Sequence, residues 1–161
     1  MRIIRIDENN QVNGDGLRCV IWFAGCGHKC DGCHNPETWD FDGGKEFTPE
    51  TMNEIVDGLQ ANGIKRNLCI MGGEPLCSDN EFLTHLVIKT VKDKLPNVPI
   101  YIWTGYTYEE LARQGGHMAH ILKMADYLID GPYIESLRNV TLEMRGSSNQ
   151  RIINLREIDK V

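Results

Sequence analysis

Short apolar runs alternate with amphipathic stretches along the whole chain, with no repeat, low-complexity segment or linker between them. Leu17 to Ala24, apolar except for Arg18, reads as a buried strand. Thr48-Pro49-Glu50 then offers a cap followed by proline at the first helical position. In the helix it opens, Met52, Ile55, Val56 and Leu59 share one face and Gly63 supplies the stop. Asn67 to Met71 is a second short strand ending in Gly72-Gly73. Ser78-Asp79-Asn80-Glu81 has the form of a capping box, and Phe82, Leu83, Leu86, Val87, Val91 and Leu95 continue from it at the helical period until Pro96 and Pro99. Ile100 to Trp103 predicts a third strand, closed by Thr104-Gly105. A second capping box at Thr107 to Glu110 and helical character at Met118 to Met124 follow. Asp126 to Asp130, closed by Gly131-Pro132, and Arg151 to Asn154 complete the strands.

Strands separated by helices predict an α/β fold with a mostly parallel sheet. If the strands share one direction, Gly25-Cys26, Gly72-Gly73, Thr104-Gly105 and Asp130-Gly131 fall together at the carboxyl edge, where such sheets bind ligands. That edge is the predicted site.

At 161 residues the chain is expected to form one domain, 1–161, large enough for a core that needs no metal or disulfide to hold it. Seventeen Lys+Arg against twenty-three Asp+Glu give a net charge of −6 without any basic stripe, which turns the expected partner from nucleic acid to a small molecule or another protein. Charges at Arg2 and Arg5 stand where a signal peptide needs its apolar stretch, and no apolar run is long enough to span a bilayer. A cytoplasmic location, with reduced cysteines, is the expectation.

Of the six cysteines, at positions 19, 26, 30, 33, 69 and 77, three fall within eight residues: Cys26-Gly27-His28-Lys29-Cys30-Asp31-Gly32-Cys33. The glycines relax a loop, about 25–47, in which three thiolates can converge. Spacing leaves two readings open. One is an iron–sulfur cluster with three cysteine ligands and one iron left for a further ligand; the other is a zinc site completed by His28 or His34. At Gly72-Gly73-Glu74-Pro75 two glycines admit a ligand close to the backbone, and Glu74 can accept from an ammonium group; an ordinary turn has the same composition. Gly14-Asp15-Gly16 lacks the third glycine of a dinucleotide fingerprint and reads as a turn. Cys19 and Cys69 read as core residues, Cys77 as core or a reactive thiol near the ligand, and His85, His117 and His120 as surface positions. Trp39, Trp103 and Tyr106 suit core or pocket wall, and the polar stretch Arg145 to Arg151 suits a solvated loop or a docking segment. Neither Cys77, Asp130 nor that stretch is given a role by the sequence.

The cysteine triplet, with Gly72-Gly73-Glu74-Pro75 one strand later, resembles the radical S-adenosylmethionine superfamily. Within it the chain is similar to the activating proteins of anaerobic ribonucleoside-triphosphate reductases. The similarity extends through Val12-Asn13-Gly14, Asn35, Thr38-Trp39, Trp103 to Tyr106, Ile129 to Gly131 and Arg145 to Gln150. This resemblance implies an incomplete parallel β/α barrel whose open side receives a partner. It implies a [4Fe–4S] cluster on Cys26, Cys30 and Cys33, with S-adenosylmethionine chelating the fourth iron. Gly72, Gly73, Glu74 and Pro75 would hold the methionine ammonium, Gly32, Cys33 and His34 would line the adenine side, and Thr104 would contact methionine or ribose. Gly32 stands where many relatives carry an aromatic residue, so His34 is the candidate for stacking on adenine. The implied reaction is reductive cleavage of S-adenosylmethionine, then hydrogen abstraction from a glycine of the reductase large subunit, with electrons from a low-potential donor such as flavodoxin. No side chain is required as acid or base. Activation of a different glycyl-radical enzyme, or a non-enzymatic iron–sulfur or zinc module, is the alternative.

Overall fold

The computed structural model describes residues 1–11 and 16–158; the turn expected at Gly14-Asp15-Gly16 and the segment Val12-Asn13-Gly14 lie mostly outside them. The strands are β1 (Arg2–Asn10), β2 (Arg18–Phe23), β3 (Lys45–Glu46), β4 (Asn67–Gly72), β5 (Ile100–Trp103), β6 (Tyr127–Asp130) and β7 (Arg151–Asn154). The helices are α1 (Pro49–Gln60), α2 (Glu81–Lys94), α3 (Tyr108–Ala112), α4 (Gly116–Met124) and a last turn, α5 (Leu155–Ile158). All seven strands form one sheet in the order β3-β1-β2-β4-β5-β6-β7. Its centre, β2-β4-β5-β6, is parallel as expected.

The expectation that every strand points the same way is corrected at the edges. β1 runs antiparallel to β2, β3 antiparallel to β1, and β7 antiparallel to β6. Seven residues of sequence separate β1 from β2, too few for a parallel crossover. The N-terminal segment, read above only for its charges, is thus a strand; Ile3 is fully buried while Arg5 and Asn9 face solvent.

Alternation along the parallel strands sorts their side chains onto two faces. Cys19, Ile21, Phe23, Leu68, Ile70, Ile100, Ile102 and Leu128 form the core with Ile55 and Leu59 of α1, Leu83, Val87 and Val91 of α2, and Met118 and Ile121 of α4. Val20, Trp22 and Cys69 form a second cluster on the opposite face with Ile4, Met71, Tyr101 and Trp103; no helix residue joins it. The helix layer therefore covers one face of the sheet. No helix among the described residues is long and apolar enough to cross a membrane.

Local capping signals succeed where nothing competes for them. Thr48 and Thr107 each close a capping box, with Thr51 and Glu110 respectively. The box expected at Ser78 does not form: α2 starts at Glu81 behind Asn80, which makes no cap bond. Its amide instead donates to the carbonyls of Ala24 (3.0 Å) and Glu74 (3.0 Å). Phe82 and Leu86, expected on the buried stripe of α2, are 50% and 39% exposed. Thr84 and Ile88 are buried in their place, the stripe being rotated so that the Thr84 hydroxyl donates to the Pro75 carbonyl at 2.6 Å.

Asp126, buried between β5 and the C-terminal turn, accepts from Lys92 Nζ (2.9 Å), Ile100 N (2.7 Å) and Arg156 Nε (2.6 Å). Burial pushes its carboxyl up, but Arg156, Lys92 and the Ile100 amide outweigh that and hold it below the usual range. Its ionised form therefore stabilises the fold fully above the ordinary Asp pKa of about 3.9, and the contribution is lost as pH falls through the lower native value. Asp126→Asn is expected to cost about 2 kcal/mol at pH 7, since it leaves two cations underpaired. Urea denaturation at pH 7 and pH 3 checks this, the difference between wild type and variant shrinking at the lower pH.

Candidate functional site

The carboxyl ends of β2, β4, β5 and β6 meet around one cavity of about 510 Å³. The loop leaving β2 folds back on itself: Gly25 N donates to Thr38 O (2.8 Å) and Cys26 N to Trp39 O (3.2 Å), while the Thr38 hydroxyl donates to Asn35 O (2.7 Å). Lys29 and Gly32 take left-handed φ angles of 47° and 74°, the reversals that let so short a loop turn its thiols one way. Cys26, Cys30 and Cys33 are free, partly exposed thiols, and all three line the cavity. Burial raises the Cys26 thiol above its ordinary value, against the pull of the His28 and Lys29 amides.

At the end of β4, Gly73 N donates to Phe23 O (2.9 Å) and Glu74 N to Gly25 O (2.7 Å), which continues the parallel ladder beyond the two strands. Glu74 is 1% exposed and its carboxylate is fully engaged. Oε1 accepts from Leu76 N (2.9 Å) and Thr104 Oγ1 (2.8 Å), and Oε2 from Gly105 N (2.7 Å) and His28 Nε2 (2.9 Å). The bond to Glu74 raises the His28 pKa, against the opposing effect of its burial. Thr104 in turn accepts from Tyr106 N (3.1 Å), so its hydroxyl is also committed within the protein.

At the end of β6, the buried Asp130 accepts from Tyr108 N (2.7 Å) and pairs with Arg151, which also reaches Glu109 at 2.7 Å. Gln150 donates to Gly131 O (3.1 Å) and accepts from Gly146 N (2.9 Å), while Trp103 Nε1 donates to Met144 O (2.8 Å). The polar 145–151 stretch is thereby docked on the sheet edge, with Arg145 on the cavity wall. Asp130 is an anchor for that stretch.

Of the residues singled out from sequence, Cys26, Cys30, Cys33, His34, Gly72, Gly73, Glu74 and Thr104 line the cavity together. Gly32 and Pro75 do not: a Cβ on Gly32 would lie 2.2 Å from the Glu135 carboxylate, and Pro75 is buried behind the wall. Trp39 and Trp103 are wall residues. Cys19 and Cys69 are core, with burial pushing their thiols up to about 12 and about 11. Cys77 is buried too, off the cavity wall, and that burial raises its thiol to about 11. His85 lies 4.9 Å from His117 and 5.8 Å from His120, ring to ring, at the α2–α4 surface.

Sequence reasoning missed Trp22, Met71 and Tyr133 on the wall and Asn80 behind it. Trp22 and Met71 carried a signal in strand alternation, both being next to the last positions of their strands on the face away from the helices. Tyr133 carried none. It sits 5.1 Å from the His34 ring, and its hydroxyl donates to Glu135 at 2.5 Å.

Among the described residues no three His, Cys, Asp or Glu side chains converge tightly enough for a single metal ion. His28 is bound to Glu74, and His34 packs on Tyr133. A tetrahedral zinc site would gather its thiolates about 2.3 Å from one ion. Cys26, Cys30 and Cys33 share one cavity with room for a polynuclear iron–sulfur group.

A family model described as a 4Fe–4S single cluster domain matches residues 12–153. The chain is 37% identical over 142 residues to the anaerobic ribonucleoside-triphosphate reductase-activating protein of Vibrio cholerae, covering 88% of this chain and 90% of that one. The proteins so named in Escherichia coli K12 (34% over 146 residues; 90% and 93%) and Enterobacteria phage T4 (37% over 152 residues; 94% and 93%) are similar over a comparable span.

Proposed function

The chain belongs to the family of anaerobic ribonucleoside-triphosphate reductase-activating proteins, and from that membership we propose that it installs the glycyl radical on the large subunit of such a reductase. The observation that carries the reading is the single cavity shared by three cysteines and the Gly72-Gly73 strand end, in a chain matched along 12–153 by the 4Fe–4S cluster model. Cys26, Cys30 and Cys33 would hold the cluster by three thiolates, and S-adenosylmethionine would bind beside it. When bound, the two groups supply reductive cleavage of a sulfonium and abstraction of a hydrogen atom.

The protein orients and shields. Gly72 and Gly73 leave room at the end of β4 for the methionine end, and the carboxylate of Glu74 fixes the shape of that end instead of presenting a free oxygen. Cys33 and His34 belong to the adenine side, where Tyr133 packs on His34 and supplies the aromatic surface that position 32 lacks; Gly32 itself lies off the cavity wall, against Glu135. Pro75 stiffens the exit, and Thr104 faces the ribose or methionine from β5. Trp22, Trp103 and Met71 give the cavity an apolar floor that keeps water from a reactive centre. No side chain is assigned as acid or base.

The uncovered sheet face supports an incomplete barrel, one radical S-adenosylmethionine domain spanning 1–161 with its cluster loop at about 25–47, open on the side where a glycine-bearing segment enters. Its place of work is the cytoplasm and its electron source a low-potential carrier such as flavodoxin.

The test is anaerobic. Protein reconstituted with iron and sulfide is reduced and given S-adenosylmethionine, and 5′-deoxyadenosine is measured with and without a reductase large subunit. Product that rises with the partner, and a glycyl radical signal on it, is the expected result. Product with no radical on that partner would point to another glycyl-radical enzyme, and a cluster-loaded protein that makes none would overturn the reading.

A further inference from the structure

His28 lies midway between Cys26 and Cys30, and its ring is held on two sides. Nε2 donates to Glu74 Oε2 at 2.9 Å, and the ring lies over Gly105 so closely that a Cβ there would come within 2.6 Å of it. Tyr106 meets it edge-on at 4.6 Å. Glu74 is itself immobile, buried and bonded to Leu76, Thr104 and Gly105, so one carboxylate joins the loop of β2, the end of β4 and the end of β5. A buried carboxylate holding four donors is rigid, because losing any one leaves charge undersatisfied in a dry setting.

We propose that His28 is a positioning residue that, through Glu74, sets the cluster loop in register with the strand ends that bind S-adenosylmethionine. The inference rests on the function proposed above and adds to it a residue of the same cavity wall that is neither a cluster thiolate nor part of the Gly72-Gly73 strand end. Its chemical content is alignment: backbone bonds from Gly73 and Glu74 join the two segments at the base of the loop, and the His28–Glu74 bond is the side-chain tie between the cysteines themselves and the cofactor loop. A displacement of about 1 Å at a reacting centre costs on the order of 100-fold in rate. His28→Ala removes the pin while keeping all three cysteines.

The experiment compares wild type, His28→Ala, His28→Gln and His28→Leu after identical reconstitution. It measures iron and sulfide per chain, the change that S-adenosylmethionine makes in the electron paramagnetic resonance spectrum of the reduced cluster, and 5′-deoxyadenosine formed per cluster. The Gln amide can donate to Glu74, whereas Leu fills the seat over Gly105 without donating. The expected result is wild-type iron content throughout, with cleavage per cluster lowered about 10- to 100-fold and the spectral change weakened in Ala and Leu, and both recovered in part by Gln. Wild-type cleavage per cluster in His28→Ala, equal behaviour of Gln and Leu, or a loss of product matched by loss of iron would each overturn the proposal. Failure of wild type to cleave S-adenosylmethionine would instead overturn the functional reading itself, and the alignment role with it.

Discussion

Cys30→Ala is expected to abolish both the visible absorption of the reconstituted cluster and all 5′-deoxyadenosine formation, whereas Cys19→Ala should leave both in place. The six cysteines divide by environment. Cys26, Cys30 and Cys33 are partly exposed on one cavity wall, while Cys19, Cys69 and Cys77 are buried away from it. Cys19, Cys69 and Cys77 are packed in the protein interior and none of them lines the cavity, so none is placed to substitute for a missing ligand. Two cysteines cannot retain a four-iron cluster that ordinarily rests on at least three. Cys19→Ala removes one buried sulfur from the core and should cost about 1 kcal/mol of stability with full activity. Iron and sulfide analysis with the absorption spectrum decides the matter; a full cluster in Cys30→Ala would overturn its assignment as a ligand.

The cluster loop was legible because its information is local: three cysteines and their glycines occupy eight consecutive positions, and the strand before them is apolar from Cys19 onward. The parallel centre was legible for the same reason, each strand ending in a glycine or a Thr-Gly pair. What escaped depends on residues far apart. Glu74 looks like a free acceptor in its tetrapeptide, but its partners His28 and Gly105 are 46 and 31 residues away. Asn80 sits in a sequence with every mark of a capping box. Its side chain is instead drawn inward, where the amide nitrogen donates to the buried carbonyls of Ala24 and Glu74 at two strand ends, and its oxygen makes no cap bond to the helix start. β1 escaped because alternation of isoleucine with charge at a chain terminus looks like ordinary solvated sequence until β2 and β3 pair on either side of it. The 131–150 segment has no period at all. Its place over the cavity is set by Gln150, Asp130 and Trp103 through hydrogen bonds that sequence does not announce.

Gly73→Ala is expected to weaken S-adenosylmethionine binding at least 10-fold, equivalent to about 1.4 kcal/mol, in protein that still carries its cluster. A Cβ at position 73 would stand 2.3 Å from the carbonyl oxygen of Gly25 and 2.8 Å from its carbon, distances that no relaxed structure keeps. The obstacle is backbone, so no side chain can swing aside. Nor can the Gly25 carbonyl retreat cheaply, because it accepts from Glu74 N at 2.7 Å and belongs to the residue whose own amide closes the cluster loop on Thr38. Relief must come from moving the 73–75 segment outward, away from β2 and into the cavity where the methionine end is proposed to bind. Gly27→Ala is the matched control, since the same methyl group there meets nothing within 4 Å, although the residue lies between a cluster cysteine and His28. Equilibrium binding of S-adenosylmethionine to cluster-loaded protein should separate the two variants. Wild-type affinity in Gly73→Ala would mean that the close contact of the two loops is not what shapes the cofactor end of the cavity.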